Sequence, residues 1–158
     1  MSRSRQPVPA PDWKALEKNI GYHFQNIGLL RNALTHSSYA NENKKSSGSN
    51  ERLEFLGDSV LGYVVADYLF CHCPHLPEGE LTKTRAALVC EKACCGFSRQ
   101  LEVGKYLLLS HGEQNSGGAS RSSILADAFE AIIAAIYLDG GMEEARSFIL
   151  RFINVMGT

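Results

Sequence analysis

The stretch Asn50-Glu-Arg-Leu-Glu-Phe-Leu-Gly-Asp-Ser-Val-Leu61 is the most informative part of this chain. As a helix it places Glu51, Glu54 and Asp58 within roughly 60° of arc, because each residue advances about 100°. Apolar residues separate the acids, which predicts a largely buried helix. Carboxylates that are crowded and lose hydration need compensation, either from Arg or Lys side chains or from a bound cation.

A second acidic pair lies in the stretch Ser123-Ile-Leu-Ala-Asp-Ala-Phe-Glu-Ala-Ile-Ile133, where Asp127 and Glu130 are three residues apart. If the two apolar helices face each other, their acids assemble four oxygen ligands, which suit Mg²⁺ or Mn²⁺ rather than zinc. Ordinary acids paired with lysines or arginines on solvated helix faces are the alternative. Two pairs embedded in apolar helices favour the metal site over that alternative.

Several segments together resemble the ribonuclease III endonuclease domain, of the bacterial type without its C-terminal double-stranded-RNA-binding domain. They follow the family's order and spacing from about Trp13 to Phe152: Ala33-Leu-Thr-His-Ser-Ser-Tyr-Ala40, the stretch from Asn50 to Leu61, Glu78-Gly-Glu-Leu-Thr-Lys-Thr-Arg-Ala-Ala-Leu-Val89, Ile124-Leu-Ala-Asp-Ala-Phe-Glu-Ala131 and Ile136-Tyr-Leu-Asp-Gly-Gly141. The nine residues from Glu51 to Ser59 are rarely met by chance, so the resemblance is specific.

The polar, proline-containing residues 1–11 are expected to form a disordered tail. The resemblance implies an all-α, single-domain helical bundle over residues 12–156, which the helical periodicity also predicts. It also implies hydrolysis of phosphodiester bonds in double-stranded RNA, leaving 5′-phosphate and 3′-hydroxyl ends, in RNA processing such as ribosomal RNA precursor maturation. The expected cofactor is Mg²⁺, with Mn²⁺ as a substitute. An RNA-binding or dimerisation module that has lost catalysis is the alternative, which the presence of all four acids disfavours.

The metal ligands that the resemblance implies are Glu54, Asp58, Asp127 and Glu130. Among them Asp58 and Glu130 are expected to be the least replaceable catalytic residues. One or two divalent ions can orient a water, neutralise the phosphate and stabilise the leaving oxygen. Because this chemistry requires no His or Ser nucleophile, His36 is interpreted as a structural residue or as a residue behind the ligands.

Other charged residues near the acids have open assignments. Glu51 is either an outer metal ligand through water or an ion-pair partner of Arg121. Arg52 and Glu91 are expected to form structural ion pairs rather than to take part in chemistry.

A homodimer is also implied, because two cuts on opposite strands need two sites related by a two-fold axis. Phe55 corresponds to the aromatic residue that enters a pocket of the partner subunit in the family. An ordinary place in the core of its own chain is the alternative, and periodicity alone favours it.

Contacts to RNA are weakly specified. The net charge is −1, whereas proteins that track phosphates usually carry a basic excess. Relatives often have a basic run after the Gly117-Gly118 pair, and here only Arg121 is basic. Lys44, Lys45, Lys83 and Arg85 are the candidate phosphate contacts.

Composition bounds the remaining possibilities. A length of 158 residues with 44% hydrophobic content suits one compact domain. No apolar run is long enough for a membrane span and no signal peptide is evident, so a cytoplasmic location is expected. The resemblance to longer enzymes favours a nuclease-domain fragment over a naturally short protein. The five cysteines are expected to be reduced thiols, with zinc at Cys71-His-Cys-Pro-His75 as the alternative.

Helix boundaries follow from periodicity, caps and breakers. The predicted segments are a helix over Trp13–Ile20 capped by Asp12, helices over Ile27–Thr35 and from the cap Asn50 to Cys71, a helix over Glu78–Leu101 kinked or divided at Gly96, a mobile loop over Gln114–Ser120, and helices over Ser122–Leu138 and Met142–Met156.

Overall fold

The structure, a computed structural model, describes residues 10–43 and 48–153. Most of the predicted tail, the pair Lys44 and Lys45, and the predicted end of the last helix at Met156 therefore lie outside the described residues. Within the described ranges the chain is all-α, as expected, and its one β-type contact is an isolated bridge between Thr35 and Leu108. The α-helices are α1 Trp13–Ile20, α2 Ile27–Ala33, α3 Ser37–Glu42, α4 Glu51–His72, α5 Glu78–Val89, α6 Glu91–Gln100, α7 His111–Asn115, α8 Ser122–Gly140 and α9 Met142–Ile153.

Helix α8 lies at the centre of the bundle. From Ile124 to Ile136 every residue except Asp127 is buried, as expected for a helix that is apolar on all sides. Helices α4, α6 and α9 pack around it. Four aromatic rings pack edge-to-face or tilted at one side of α8, with centroids 4.9 to 5.6 Å apart: Phe97, Phe129, Phe148 and Phe152. The second acidic pair is therefore carried by the most buried helix of the fold.

Helices α4 and α8 approach each other closely at Gly57. A Cβ atom built on Gly57 would overlap the carbonyl oxygen of Glu130, so no other residue fits without moving a backbone. The absence of a side chain lets the two helices touch directly between Glu54 and Asp58. The contact at Gly57 thus brings the acids of α4 beside Glu130 of α8.

The segment between α2 and α4 differs from the prediction. The predicted helix over Ile27–Thr35 ends at Ala33, and a short helix that the sequence did not reveal, α3, follows it. Asn50 occupies the N-cap position of α4, but its side chain makes no capping hydrogen bond. It donates instead to the carbonyl oxygen of Ala33 at 2.9 Å, which ties the end of α2 to the start of α4.

Two further boundaries also differ. The predicted helix over Glu78–Leu101 is divided at Cys90, which has extended backbone angles, while α6 continues through Gly96. The predicted loop over Gln114–Ser120 contains the end of α7 and a 3₁₀ turn over Gly118–Ser120. Glu113 holds this segment together by pairing with Arg121.

The five cysteines are all free thiols. The helical segment that carries Cys90, Cys94 and Cys95 predicts small apolar core residues at all three positions. Cys94 and Cys95 are buried, but Cys90 lies at the break between α5 and α6 and is exposed, as is Cys71. In the part of the chain that the structure describes, no helix is both long and apolar enough to cross a membrane.

Candidate metal centre

The acids of α4 and α8 meet at the Gly57 contact. One oxygen each from Glu54, Asp127 and Glu130 lies within 4.8 Å of the others, the kind of spacing that allows one cation to be shared. These three acids are called the acid cluster below. Glu130 is buried, Glu54 is half-buried and Asp127 is exposed, so the cluster is closed on the side of Glu130 and open on the side of Asp127.

Asp58 lies at the edge of the acid cluster. Its side chain is exposed and is hydrogen-bonded to Glu130. The structure therefore brings together all four acids that the sequence singled out, three of them tightly and the fourth through Glu130. Their roles as metal ligands and catalytic residues remain predictions.

Glu130 carries the clearest sign of an incomplete environment. Only 9% of its surface is exposed, and its Oε2 atom is buried with no hydrogen-bond partner in the described residues. Burial raises its pKa to about 9, and the hydrogen bond and charge of Asp58 and the charges of Glu54 and Asp127 act in the same direction. Without a cation, Glu130 therefore keeps its proton at neutral pH.

The pKa values of Glu54 and Asp127, the other two members of the cluster, are raised as well. Burial raises the pKa of Glu54, and the charges of Asp127, Asp58 and Glu51 add to the effect. Burial also raises the pKa of Asp127, with a further contribution from Glu91, while His36 lowers it. The acids repel one another, whereas His36 acts on Asp127 in the opposite direction.

These residues fit a divalent cation. The donors are carboxylate oxygens, which Mg²⁺ and Mn²⁺ prefer, and a cation would both satisfy Glu130 Oε2 and relieve the repulsion among the acids. Metal binding requires ionised carboxylates, so it would displace the proton of Glu130. Among the described residues, this is the group of three or more His, Cys, Asp or Glu side chains that meets the distances of a metal site.

Arg121 does not pair with Glu51. The structure pairs it with Glu113, and its guanidinium also reaches the carbonyl oxygen of Ser116 at 3.5 Å. The reason is that Arg121 immediately precedes α8 and faces the loop that leads into it. Glu51 is exposed and acts on Glu54 through its charge, so its role as an outer ligand stays a prediction.

Three residues near the acid cluster were not recognised from the sequence. Glu91, assigned above to a structural ion pair, instead faces Asp127 closely enough to raise its pKa, and no ion pair of Glu91 occurs within the described ranges. Cys94 is buried so near the acids that burial and their charges raise the pKa of its thiol. Gly57 sets the distance between the helices. No local signal marks Glu91, because the break at Cys90 that precedes it lacks a Gly or Pro.

The remaining predicted contacts are dispersed over the surface. Lys83 forms an exposed pair with Glu80 at 3.8 Å on α5, and Arg85 is exposed on the same helix. Phe55 is 75% exposed, so it does not belong to the core of its own chain, the alternative that periodicity favoured.

Comparisons with known proteins agree with this geometry. The family described as Ribonuclease-III-like matches residues 26–156. A protein named Ribonuclease 3 from Clostridium acetobutylicum is 54% identical over 136 residues, which cover 86% of this chain and 59% of that protein. Ribonuclease 3 from Clostridium tetani is 53% identical over 146 residues, covering 92% of this chain and 62% of that protein. The chain thus spans about three fifths of the length of these curated relatives.

A solved structure of a nuclease domain matches most of this chain. The nuclease domain of ribonuclease III from Campylobacter jejuni superposes with a TM-score of 0.85 at 46% identity, covering 91% of this chain and 97% of that one. That structure is described as flexible in a region involved in dimer formation.

Proposed function

We propose, because this chain belongs to the ribonuclease-III-like family, that it is the metal-dependent nuclease domain of an endoribonuclease that cuts double-stranded RNA. The products would carry 5′-phosphate and 3′-hydroxyl ends, and the cellular task would be RNA processing such as ribosomal RNA precursor maturation. The observation that carries the proposal is the acid cluster with the unpartnered, buried Oε2 of Glu130. A purely structural acid would have found a partner there.

Glu54, Asp127 and Glu130 would hold Mg²⁺, or Mn²⁺ in its place, with Asp58 completing the site from its edge. A bound divalent ion supplies a site where water is activated, phosphate charge is neutralised and the leaving oxygen is stabilised. The protein fixes the positions of the acids through the Gly57 contact and keeps Glu130 away from bulk water. The exposed sides of Asp127 and Asp58 leave room for a phosphate to approach.

A homodimer would give two such sites for the two strands of a duplex. One face of α4 exposes three aromatic side chains: Phe55 at 75%, Tyr63 at 56% and Phe70 at 74%. Their positions fall within about 80° of arc on an ideal helix. Such a stripe of large apolar residues is expensive to leave in water and is typical of an interface. We assign this face of α4 to a second copy of the chain, with Phe55 entering the partner.

An inactive RNA-binding module is the alternative function. Such a module gains nothing from acids that repel one another beside a buried carboxyl group. The close packing of Glu54, Asp127 and Glu130 therefore favours catalysis.

Cleavage of a long RNA duplex at low salt tests the proposal. We expect cutting with Mg²⁺ or Mn²⁺, little cutting with Ca²⁺, and none from Glu130→Gln. A wild-type chain that dimerises and binds Mg²⁺ but never cuts the duplex would refute the enzymatic function.

A further inference from the structure

His36 is held firmly beside the first turn of α4. The backbone N–H of Asn50 donates to the carbonyl oxygen of Thr35 at 2.8 Å, and the N–H of His36 itself donates to the carbonyl oxygen of Leu108 at 3.0 Å. His36 is thereby fixed between the start of α4 and the segment after α6. Glu54, a member of the acid cluster, lies in the first turn of α4.

The hydrogen bonds of the imidazole define its tautomer. The backbone N–H of Ser38 donates to Nδ1 at 3.1 Å, so Nδ1 carries a lone pair and the ring hydrogen belongs on Nε2. Ser38 Oγ lies 2.8 Å from the same Nδ1 atom and accepts from the N–H of Ser110 at 3.0 Å, which leaves its own hydrogen free to point at Nδ1. Within the described residues, the ring is therefore oriented by hydrogen bonds at Nδ1.

Nε2 of His36 has no hydrogen-bond partner within the described ranges. The residue is only half-buried, so a ligand can reach the ring. With its hydrogen on Nε2 the ring is a donor and cannot coordinate a cation through that atom. The imidazole is near enough to Asp127 to act on it electrostatically. Asp127 is the exposed member of the acid cluster, so the electrostatic influence of His36 falls on the open side of that cluster.

We propose that His36 is a positioning residue whose Nε2–H donates a hydrogen bond to a backbone phosphate oxygen of the RNA strand at the acid cluster. The proposal rests on the function proposed above, since it assumes that an RNA strand enters the site. A neutral donor suits this place, because it can bind an anionic oxygen without adding a fixed positive charge that competes with the metal ion. The oriented ring would meet the strand without reorganising.

Two substitutions separate this role from the structural role of the ring. Asn places an oxygen near the position of Nδ1, where it can still accept from the N–H of Ser38, but it has no group at the position of Nε2. Gln reaches the position of Nε2 with an amide N–H but loses the cap of α3. His75→Asn, at an exposed histidine remote from α3, serves as the matched control.

We expect His36→Asn to keep the thermal midpoint of the wild type while losing roughly tenfold in kcat/KM on a short RNA duplex with Mg²⁺. His36→Gln should lower the midpoint by a few degrees and yet cut faster than His36→Asn. Duplex affinity measured by fluorescence anisotropy in Ca²⁺ should weaken for Asn more than for Gln. Mn²⁺ affinity in the absence of RNA should be the same for all three proteins.

The inference is overturned if His36→Asn cuts and binds like the wild type, or if both variants lose activity only in proportion to their loss of stability. These outcomes presuppose an active wild-type chain. A wild-type chain that does not cut at all overturns the proposed function instead, so the two failures are distinguishable.

Discussion

Replacing Glu130 with Gln should stabilise the metal-free chain while abolishing its activity. Glu130 is buried, its pKa is raised from 4.5 to about 9, and its Oε2 atom has no partner. Between those two pH values the folded chain holds a proton that the unfolded chain has released. The stabilisation from this group is therefore complete below about pH 4.5 and is lost as the pH rises toward 9.

The size of the effect follows from linkage. Each pH unit in this window removes about 1.4 kcal/mol if one full proton is retained. From pH 5 to pH 7 that amounts to about 3 kcal/mol, and solvent on the open side of the cluster reduces it to about 1.5 kcal/mol. Gln resembles the protonated carboxyl and does not titrate. At pH 7 without metal, Glu130→Gln should therefore unfold roughly 3–6 °C above the wild type.

The assay is thermal unfolding in EDTA at pH 5, 7 and 8.5. We expect the advantage of Glu130→Gln to grow with pH, and saturating Mg²⁺ to stabilise the wild type alone. Glu144→Gln, at an exposed acid of α9, is the matched control and should follow the wild type. If Glu130→Gln shows the same pH dependence as the wild type, or is less stable at pH 8.5, Glu130 does not hold the proton and the reasoning fails.

Three other predictions concern the helix contact, the dimer and the proton. Gly57→Ala should destabilise the fold by at least about 3 kcal/mol, because it forces α4 away from Glu130. The control Gly96→Ala, in the open part of α6, should stabilise the fold by about 0.5–1 kcal/mol. Equal urea midpoints for the two variants would contradict this. Phe55→Ala should raise the dimer dissociation constant at least tenfold in sedimentation, with Ile27→Ala as the unaffected control, and an unchanged constant refutes the interface. Mg²⁺ binding to the wild type at pH 7 should release about one proton, measured by calorimetry in buffers of different ionisation enthalpy. Mg²⁺ binding to Glu130→Gln should release none. Wild-type binding without proton release would count against the site.

The local part of the site could be predicted from the sequence. The spacing of Glu54 and Asp58, and of Asp127 and Glu130, fixes each pair on one flank of its helix, because helix geometry depends on neighbours three or four residues apart. The helical class and most helix ends follow from the same periodicity and from caps such as Asp12. The expectation that these two helices face each other rested on the resemblance to a family.

The parts that could not be predicted depend on contacts distant in sequence. The overlap that forbids a side chain at Gly57 involves Glu130, 73 residues later, and leaves no local mark. The break at Cys90 lacks a Gly or Pro, and α3 begins with a histidine cap, an uncommon choice at that position. The pairing of Arg121 with Glu113 depends on how the loop before α8 folds back.

The position of a bound ion tests the central claim most directly. Crystals grown with Mn²⁺ should give an anomalous difference peak within coordination distance of Glu54, Asp127 and Glu130, with Asp58 at its edge. The same peak should vanish in Glu130→Gln. A peak located away from these acids, or a peak that survives the substitution unchanged, would contradict a metal centre built by α4 and α8.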